Sequence, residues 1–171
     1  KKVAVKQEPN SGLMAPPEDF ADMLRKKGDL HEQRCLSRYK ETFPNSVFEV
    51  PERNEAGYEN FAQWVQRIGN PMEENYSVIF QMPFIHEGIR GVADFLLREE
   101  YGNGKVAYEP VDSKLSRTGA KQGHLLQLLF YAEAVEAKTG IRPRQVHVLL
   151  GSGEMESVSY THLTLPTIAK V

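Results

Sequence analysis

The sequence lacks several features that would assign it to a specialised class of protein. It has a single cysteine, Cys35, in 171 residues, so neither an intrachain disulfide framework nor a cysteine-based zinc site can form. No apolar run reaches about 20 residues, the length that a membrane-spanning helix needs. The net charge of −2 shows no overall basic excess, which weighs against a nucleic-acid partner unless the basic residues are concentrated locally. We therefore expect a globular, cytoplasmic protein without a membrane partner.

Both ends of the sequence differ from the part between them. Residues 1–16 contain several proline and glycine breakers, and we expect an irregular segment there. Residues 158–167 read VSYTHLTLPT, which resembles the translated read-through of a sequencing adaptor. We therefore expect residues 158–171 to be a non-native tail, although the same letters also suit a genuine strand. Residues 17–157 are then one domain, which we expect to be incomplete.

The hydrophobic pattern of this domain predicts a mixture of helices and strands. Helices are predicted over residues 17–42, 58–68 and 119–138, and the first of them is expected to be interrupted near Gly28. Strands are predicted over residues 47–50, 76–85, 89–97, 105–115 and 145–150. Pro110 in the fourth of these strands indicates an edge position, a bulge or a local break. The order of elements predicts an α/β domain in which helices flank a central mixed β-sheet.

Acidic and basic residues occur on two consecutive predicted strands. Asp94 lies on the strand over residues 89–97, and Asp112 and Lys114 lie on the next strand. Alternate residues of a strand share a face, so Asp112 and Lys114 point the same way, and neighbouring strands can bring all three together. Carboxylates are suitable ligands for Mg²⁺, and a lysine can offset negative charge at a reacting phosphate. This combination indicates metal-assisted hydrolysis of phosphodiester bonds.

Two pairs of polar residues lie on the predicted helices. His31 and Glu32 are neighbours on the first helix. Gln127 and Tyr131 are about one turn apart on the helix over residues 119–138, so they share a face. We interpret Glu32 as an ordinary acid of the helix surface.

The segments GVAD, VDSK and QLLFY match motifs of the RecB-like nucleases of the PD-(D/E)XK superfamily, namely Gly-x-x-Asp, (Asp/Glu)-x-Lys and Gln-x-x-x-Tyr. GDLHE, which begins at Gly28, matches the Gly-x-x-His motif of this family, and YEPVDSKL most closely resembles a bacterial group within it. The motifs follow the order of the family from residue 28 to about residue 153. The resemblance implies a restriction-endonuclease-like α/β core. It also implies a Mg²⁺- or Mn²⁺-dependent nuclease that acts on DNA in repair, recombination or defence, and it favours an exonuclease.

The same resemblance implies roles for the motif residues in catalysis. His31, Asp94 and Asp112 would be metal ligands, together with the backbone carbonyl of Ser113, and Lys114 would be the catalytic lysine. Asp112 stands where many relatives carry glutamate, and its shorter side chain would shift the metal slightly. Some relatives hold an iron–sulfur cluster with cysteines outside the nuclease core, which a single cysteine cannot do within this chain.

A second group of residues is expected to contact the substrate. The resemblance implies that Gln127 and Tyr131 complete the catalytic site, either by bracing it or by touching the substrate strand. Residues 113–124 carry basic side chains and no acid, and this segment leads into the start of a predicted helix, where backbone N–H groups attract phosphate. We expect Arg117, Lys121 and His124 to line a local DNA-binding groove.

Other interpretations of these residues are open. Asp94 fits a turn at a strand end, Asp112 and Lys114 fit a surface ion pair, and Tyr131 fits a half-buried core aromatic. For the function, the alternatives are a catalytically inactive nucleic-acid-binding or scaffold domain with the same fold, and a nuclease that acts on RNA. A helicase or another domain is an expected partner in a longer protein.

Overall fold

The computed structural model describes residues 18–116 and 122–160. Its helices are α1 (Glu18–Thr42), α2 (Phe61–Ile68) and α3 (Gln122–Thr139), with a short 3-10 helix at Pro71–Glu74. Its strands are β1 (Val47–Glu49), β2 (Val78–His86), β3 (Ile89–Glu100), β4 (Val106–Lys114), β5 (Gln145–Leu150) and β6 (Met155–Ser159). In this part of the chain, none of the helices combines the length and apolarity that crossing a membrane demands. The predicted irregular segment, residues 1–16, lies outside the described residues.

The six strands of the described residues form one mixed sheet in the order β1-β2-β3-β4-β5-β6. Strands β2, β3 and β4 form an antiparallel meander, β1 is parallel to β2, and β6 is antiparallel to β5. Strand β5 is parallel to β4, which requires a long crossover, and α3 supplies it. This arrangement confirms the predicted α/β class with a central mixed sheet and flanking helices.

Helices pack on both faces of the sheet. The residues Val78, Ile79 and Phe80 alternate between two hydrophobic clusters, as expected for successive residues of a strand. The cluster under α1 contains Cys35, Leu36, Val78, Phe80, Phe95, Val111 and Leu149. The opposite face packs against α2 and α3, and the buried residues of α3 include Leu128, Leu129, Ala132 and Val135. The packing on both faces therefore fixes the sheet between the helices.

Two predicted irregularities differ in the structure. Helix α1 is continuous through Gly28, because a glycine in a helix costs only about 1 kcal/mol and the flanking residues favour the helix. Strand β4 is not an edge strand, although it contains Pro110. Pro110 lies opposite Leu96 of β3, and the pairing of β4 with β5 begins one residue later, at Val111. The proline therefore lies just before the second ladder, where its missing N–H is tolerated.

The sheet extends into the segment that the sequence predicted to be a tail. Val158 and Ser159 belong to β6 and pair with Val146 and Gln145 of β5. Tyr160, directly after them, is buried in the cluster under α3. The conformation of residues 158–160 therefore agrees with the alternative interpretation, because Val158 and Ser159 end a strand and Tyr160 follows it. Residues 161–171 lie outside the described residues, and the origin of the segment stays a prediction.

Gly91 on β3 lies directly against aromatic side chains of α3. A Cβ atom at this position would lie 2.9 Å from ring carbons of Phe130 and Tyr131, and 3.0 Å from the Tyr131 hydroxyl. Such distances are too short for real side chains, so only glycine allows the two aromatic rings to pack on β3. The glycine of the Gly-x-x-Asp segment thus has a structural reason that is independent of chemistry.

We predict that Gly91→Ala lowers the free energy of unfolding by about 1–3 kcal/mol, because α3 must move away from β3. The matched control is Gly28→Ala in α1, where an added Cβ meets nothing within 4 Å. This variant should be more stable by up to about 1 kcal/mol, since alanine favours the helix. Urea denaturation of both variants tests the prediction, and equal stabilities of Gly91→Ala and the wild type would contradict it.

Candidate functional site

The acids of the two sequence motifs lie where the ladder between β3 and β4 ends. The last pair of this ladder is Phe95 with Val111, and Asp94 and Asp112 occupy the next positions in the same register. On its other side, Asp112 pairs with Val148 of β5. The Asp94 Oδ2 atom accepts hydrogen bonds from the backbone N–H of Ser113 at 2.8 Å and from its hydroxyl at 3.2 Å. A side chain therefore replaces the strand partner, and this fixes Asp94 beside β4.

Asp112 is a buried carboxylate with one oxygen left open. Only 2% of the residue is exposed, and its Oδ1 atom lies 3.0 Å from the Lys114 ammonium group. Its Oδ2 atom is buried and has no hydrogen-bond partner among the described residues. Burial and the neighbouring charge of Asp94 raise the pKa of Asp112 to about 6, although Lys114 opposes this change. The interpretation as a surface ion pair is wrong, because Asp112 is buried.

A third carboxyl group, Glu32 of α1, joins the two motif acids. Its burial raises its pKa from 4.5 to about 8, and the charge of Asp94 and a hydrogen bond shared with Asp94 add to the effect. The Gln81 side-chain amide donates a hydrogen bond of 2.9 Å to Glu32 Oε2. The interpretation of Glu32 as a helix-surface acid is therefore wrong. A signal was available, because Glu32 lies on the same helical stripe as the buried Cys35 and Leu36.

The meeting of Glu32, Asp94 and Asp112 has a direct electrostatic consequence. Three like charges in a partly dehydrated site repel one another, and Lys114 compensates only one of them. The group is stable only if it also shares protons or holds a cation. A site of this kind can therefore exchange bound protons for a metal ion.

His31 lies next to Glu32 in sequence, but its described contact is directed along the helix. Its Nε2 atom lies 3.8 Å from the Cys35 sulfur, one turn further on. Within residues 18–116 and 122–160, no three histidine, cysteine or carboxyl side chains are arranged to hold a metal ion. The predicted role of His31 as a ligand, and that of the Ser113 carbonyl, stay predictions.

Gln127 and Tyr131 of α3 brace the strand that carries Asp94. The Tyr131 hydroxyl donates a hydrogen bond of 2.7 Å to the backbone carbonyl of Val92, two residues before Asp94. The Gln127 amide in turn donates to the Tyr131 hydroxyl at 3.2 Å. Burial raises the pKa of Tyr131, so it stays protonated and available as a donor. Tyr131 is a core aromatic as well as a brace, and the expectation that the two residues share a face is confirmed.

The residues expected to bind the substrate are described only in part. Arg117 and Lys121 lie outside the described residues. His124 is half-buried in the first turns of α3, and 30% of the Lys114 side chain is exposed. Of the predicted basic segment, Lys114 contacts the acidic cluster, through Asp112.

A pocket of about 530 Å³ opens on the α1 side of the cluster. Glu32 and Gln81 form its border with the cluster, and Val50 and Trp64 contribute apolar surface. Its acidic lining residues are Asp29, Glu32, Glu49 and Glu52, and Arg53 is the basic one. This excess of acids repels phosphate, whereas Lys114 brings a positive charge to the cluster.

No family model and no curated protein sequence matches this chain. The support for a function therefore comes from the motif residues and from the geometry of the site.

We predict that in chelator-treated, metal-free protein the free energy of unfolding falls as the pH rises from about 5 to about 8. The folded-state pKa of Glu32 is raised, so its contribution is complete below the unfolded-state pKa and is lost as the pH approaches about 8. Glu32→Gln should flatten this dependence and stabilise the protein at pH 8 by about 1–3 kcal/mol, after allowance for solvent screening. Urea denaturation at several pH values measures both effects.

The control for this prediction is Glu52→Gln, which also removes one negative charge at the border of the pocket. It should keep the pH dependence of the wild type. If Glu32→Gln and the wild type lose stability in parallel between pH 5 and 8, the carboxyl of Glu32 is not held among the other acids.

Proposed function

We propose that this protein is a metal-dependent nuclease of the RecB-like group in the PD-(D/E)XK superfamily and that it hydrolyses phosphodiester bonds of DNA. One observation carries the proposal. Asp112 is buried, its Oδ1 atom pairs with Lys114, and its Oδ2 atom has no hydrogen-bond partner among the described residues. A buried carboxylate oxygen without a partner is costly, and a purely structural site has no reason to keep it.

The arrangement of the elements supports the restriction-endonuclease-like core that the resemblance implies. Helix α1, the antiparallel meander β2–β4, the crossover helix α3 and the parallel strand β5 follow one another in the chain. The two acids lie at equivalent positions on the neighbouring strands β3 and β4. Residues of separate motifs thus lie next to each other on the sheet. Polar residues without a common function would have no reason to meet in this way.

The chemistry of the donor atoms at the site fits a divalent cation, although no three of the described side chains already surround one point. Asp94 and Asp112 would hold it, with Glu32 as a further carboxylate, and His31 and the Ser113 carbonyl are the ligands that the resemblance adds. Mg²⁺ and Mn²⁺ prefer oxygen ligands of this kind. The Oδ2 atom of Asp112, which has no hydrogen-bond partner among the described residues, would be such a ligand. The bound cation would polarise the phosphate that is cleaved and lower the pKa of a coordinated water.

Lys114 and the α3 residues have separate tasks in this proposal. The Lys114 ammonium group, held by Asp112 at 3.0 Å, brings a positive charge to the acids and offsets the charge that develops on the phosphoryl oxygens. Tyr131 and Gln127 hold β3, and so keep Asp94 in its position relative to Ser113. A phosphate backbone approaches from the side of Lys114 and the start of α3, because the pocket on the α1 side is acidic.

We predict Mg²⁺- or Mn²⁺-dependent cleavage of DNA that falls by about 10²-fold or more in Lys114→Ala, because the variant loses the cation that stabilises developing charge. The substrates are end-labelled linear duplex DNA, covalently closed circular DNA and RNA of the same sequence. If the circular DNA is not cleaved, the enzyme is an exonuclease. If the RNA is cleaved in preference to the DNA, the substrate is RNA and not DNA.

The matched control is Lys105→Ala, which removes a lysine from the turn before β4, away from the acids. It should cleave at the rate of the wild type, and circular dichroism should show all three proteins equally folded. Metal-independent cleavage, or equal cleavage by Lys114→Ala and the wild type, contradicts the proposal. A folded wild type that binds DNA but cleaves neither nucleic acid favours an inactive binding domain instead.

A further inference from the structure

Gln81 has an unusual backbone conformation for a residue within a strand. It lies in the middle of β2, and its φ angle of 60° is in the left-handed region. The pairs on either side, Phe80 with Phe95 and Met82 with Ala93, are intact, so Gln81 stands opposite Asp94 of β3. For a residue with a Cβ atom this conformation costs about 1–2 kcal/mol, and the surrounding structure must compensate for it.

The conformation of Gln81 interrupts the alternation by which successive side chains of β2 point to opposite faces of the sheet. Ile79 and Met82 are three residues apart, yet both belong to the cluster under α2 and α3. In a regular strand they would lie on opposite faces. Ala93 and Leu96 of β3 show the same shift around Asp94. The irregularity thus spans two strands, and Gln81 and Asp94 are at its centre.

The irregularity directs the Gln81 side chain to the acid on α1. The Gln81 Nε2 atom donates to Glu32 Oε2 at 2.9 Å, across 49 residues of sequence. Glutamate has three side-chain torsions, and it loses much freedom when it is held in one place. A donor fixed by a strand restricts the carboxyl of Glu32 to one orientation. The described structure gives Gln81 Nε2 no other hydrogen bond.

A second observation indicates that the acids around Glu32 form a site for a ligand. The Asp112 side chain is 3% exposed, and its buried Oδ2 atom has no partner among the described residues. This open acceptor lies among the carboxyl groups that Gln81 borders, and a cation or a proton is the partner that such an atom requires.

We propose that Gln81 is a positioning residue, whose amide holds the carboxyl of Glu32 on the side of Asp94, within reach of the divalent cation that Asp94 and Asp112 would bind. This inference rests on the proposed function and assigns to it a residue outside the sequence motifs. The strained backbone at Gln81 is retained because it delivers the amide to Glu32. Residues that orient metal ligands typically change metal affinity by about 10- to 100-fold when they are replaced.

The test uses Mn²⁺ as the probe and measures its dissociation constant by titration calorimetry. Gln81→Met, which has a similar length but no amide, should weaken Mn²⁺ binding by about 10-fold or more. Gln81→Gly should weaken it equally, while its free energy of unfolding stays the same or rises, because glycine adopts a positive φ without strain. A purely structural role predicts the reverse, with a change in stability and unchanged Mn²⁺ affinity.

A double-mutant cycle identifies Glu32 as the partner. In a Glu32→Gln background, Gln81→Met should cause no further loss of Mn²⁺ affinity, since the carboxyl that Gln81 orients is already gone. An equal loss in both backgrounds, or wild-type affinity in Gln81→Met, overturns this proposal alone. A wild type that binds no Mn²⁺ overturns it together with the proposed function, so the two failures are distinguished by the wild-type titration.

Discussion

The repulsion between carboxyl groups that are partly or fully buried is the constraint on which the rest of this structure depends. Glu32, Asp94 and Asp112 come from three separate elements, and Lys114 is the one cation that the described contacts place against them. Such a group lowers the free energy of unfolding, and it persists only because the packing on both faces of the sheet outweighs the cost. The hydrophobic cluster under α1 and the cluster under α2 and α3 hold the acids close together against their mutual repulsion.

The features near the site become intelligible as means of holding β3 in place. Gly91 lets α3 approach the strand, and Tyr131 then reaches the Val92 carbonyl. Asp94 binds the Ser113 N–H where the ladder to β4 has ended. Gln81, opposite Asp94, adopts a strained backbone and reaches α1. Each contact lies close to Asp94, so the contacts that fix the site are concentrated around β3, the strand that carries Asp94.

The sequence predicted those parts of the fold that depend on periodicity and on the alternation of strand residues. The pairing of Asp112 with Lys114 and the shared face of Gln127 and Tyr131 follow from spacing alone. Gln81 could not be predicted, because a left-handed residue in a strand has no signal when it is not glycine. Glu32 was missed because its polarity outweighed the buried helical stripe on which it lies. Strand β6 was missed altogether, because no strand was predicted after residue 150 and the residues from 158 on resembled an adaptor sequence, although they also suit a strand.

The distribution of charge explains why a cation matters for the approach of a substrate. A phosphodiester carries a negative charge, and it would meet three carboxyl groups beside an acidic pocket. Lys114 offsets one charge at most, and protonation of the acids would remove the donors that a metal needs. In the proposed nuclease, a divalent cation would solve both problems, because it would neutralise the carboxylates and attract the phosphate. The cation would then be a condition for binding the substrate as well as for cleaving it, and the acids that destabilise the metal-free protein would be the ones that select the place of the cation.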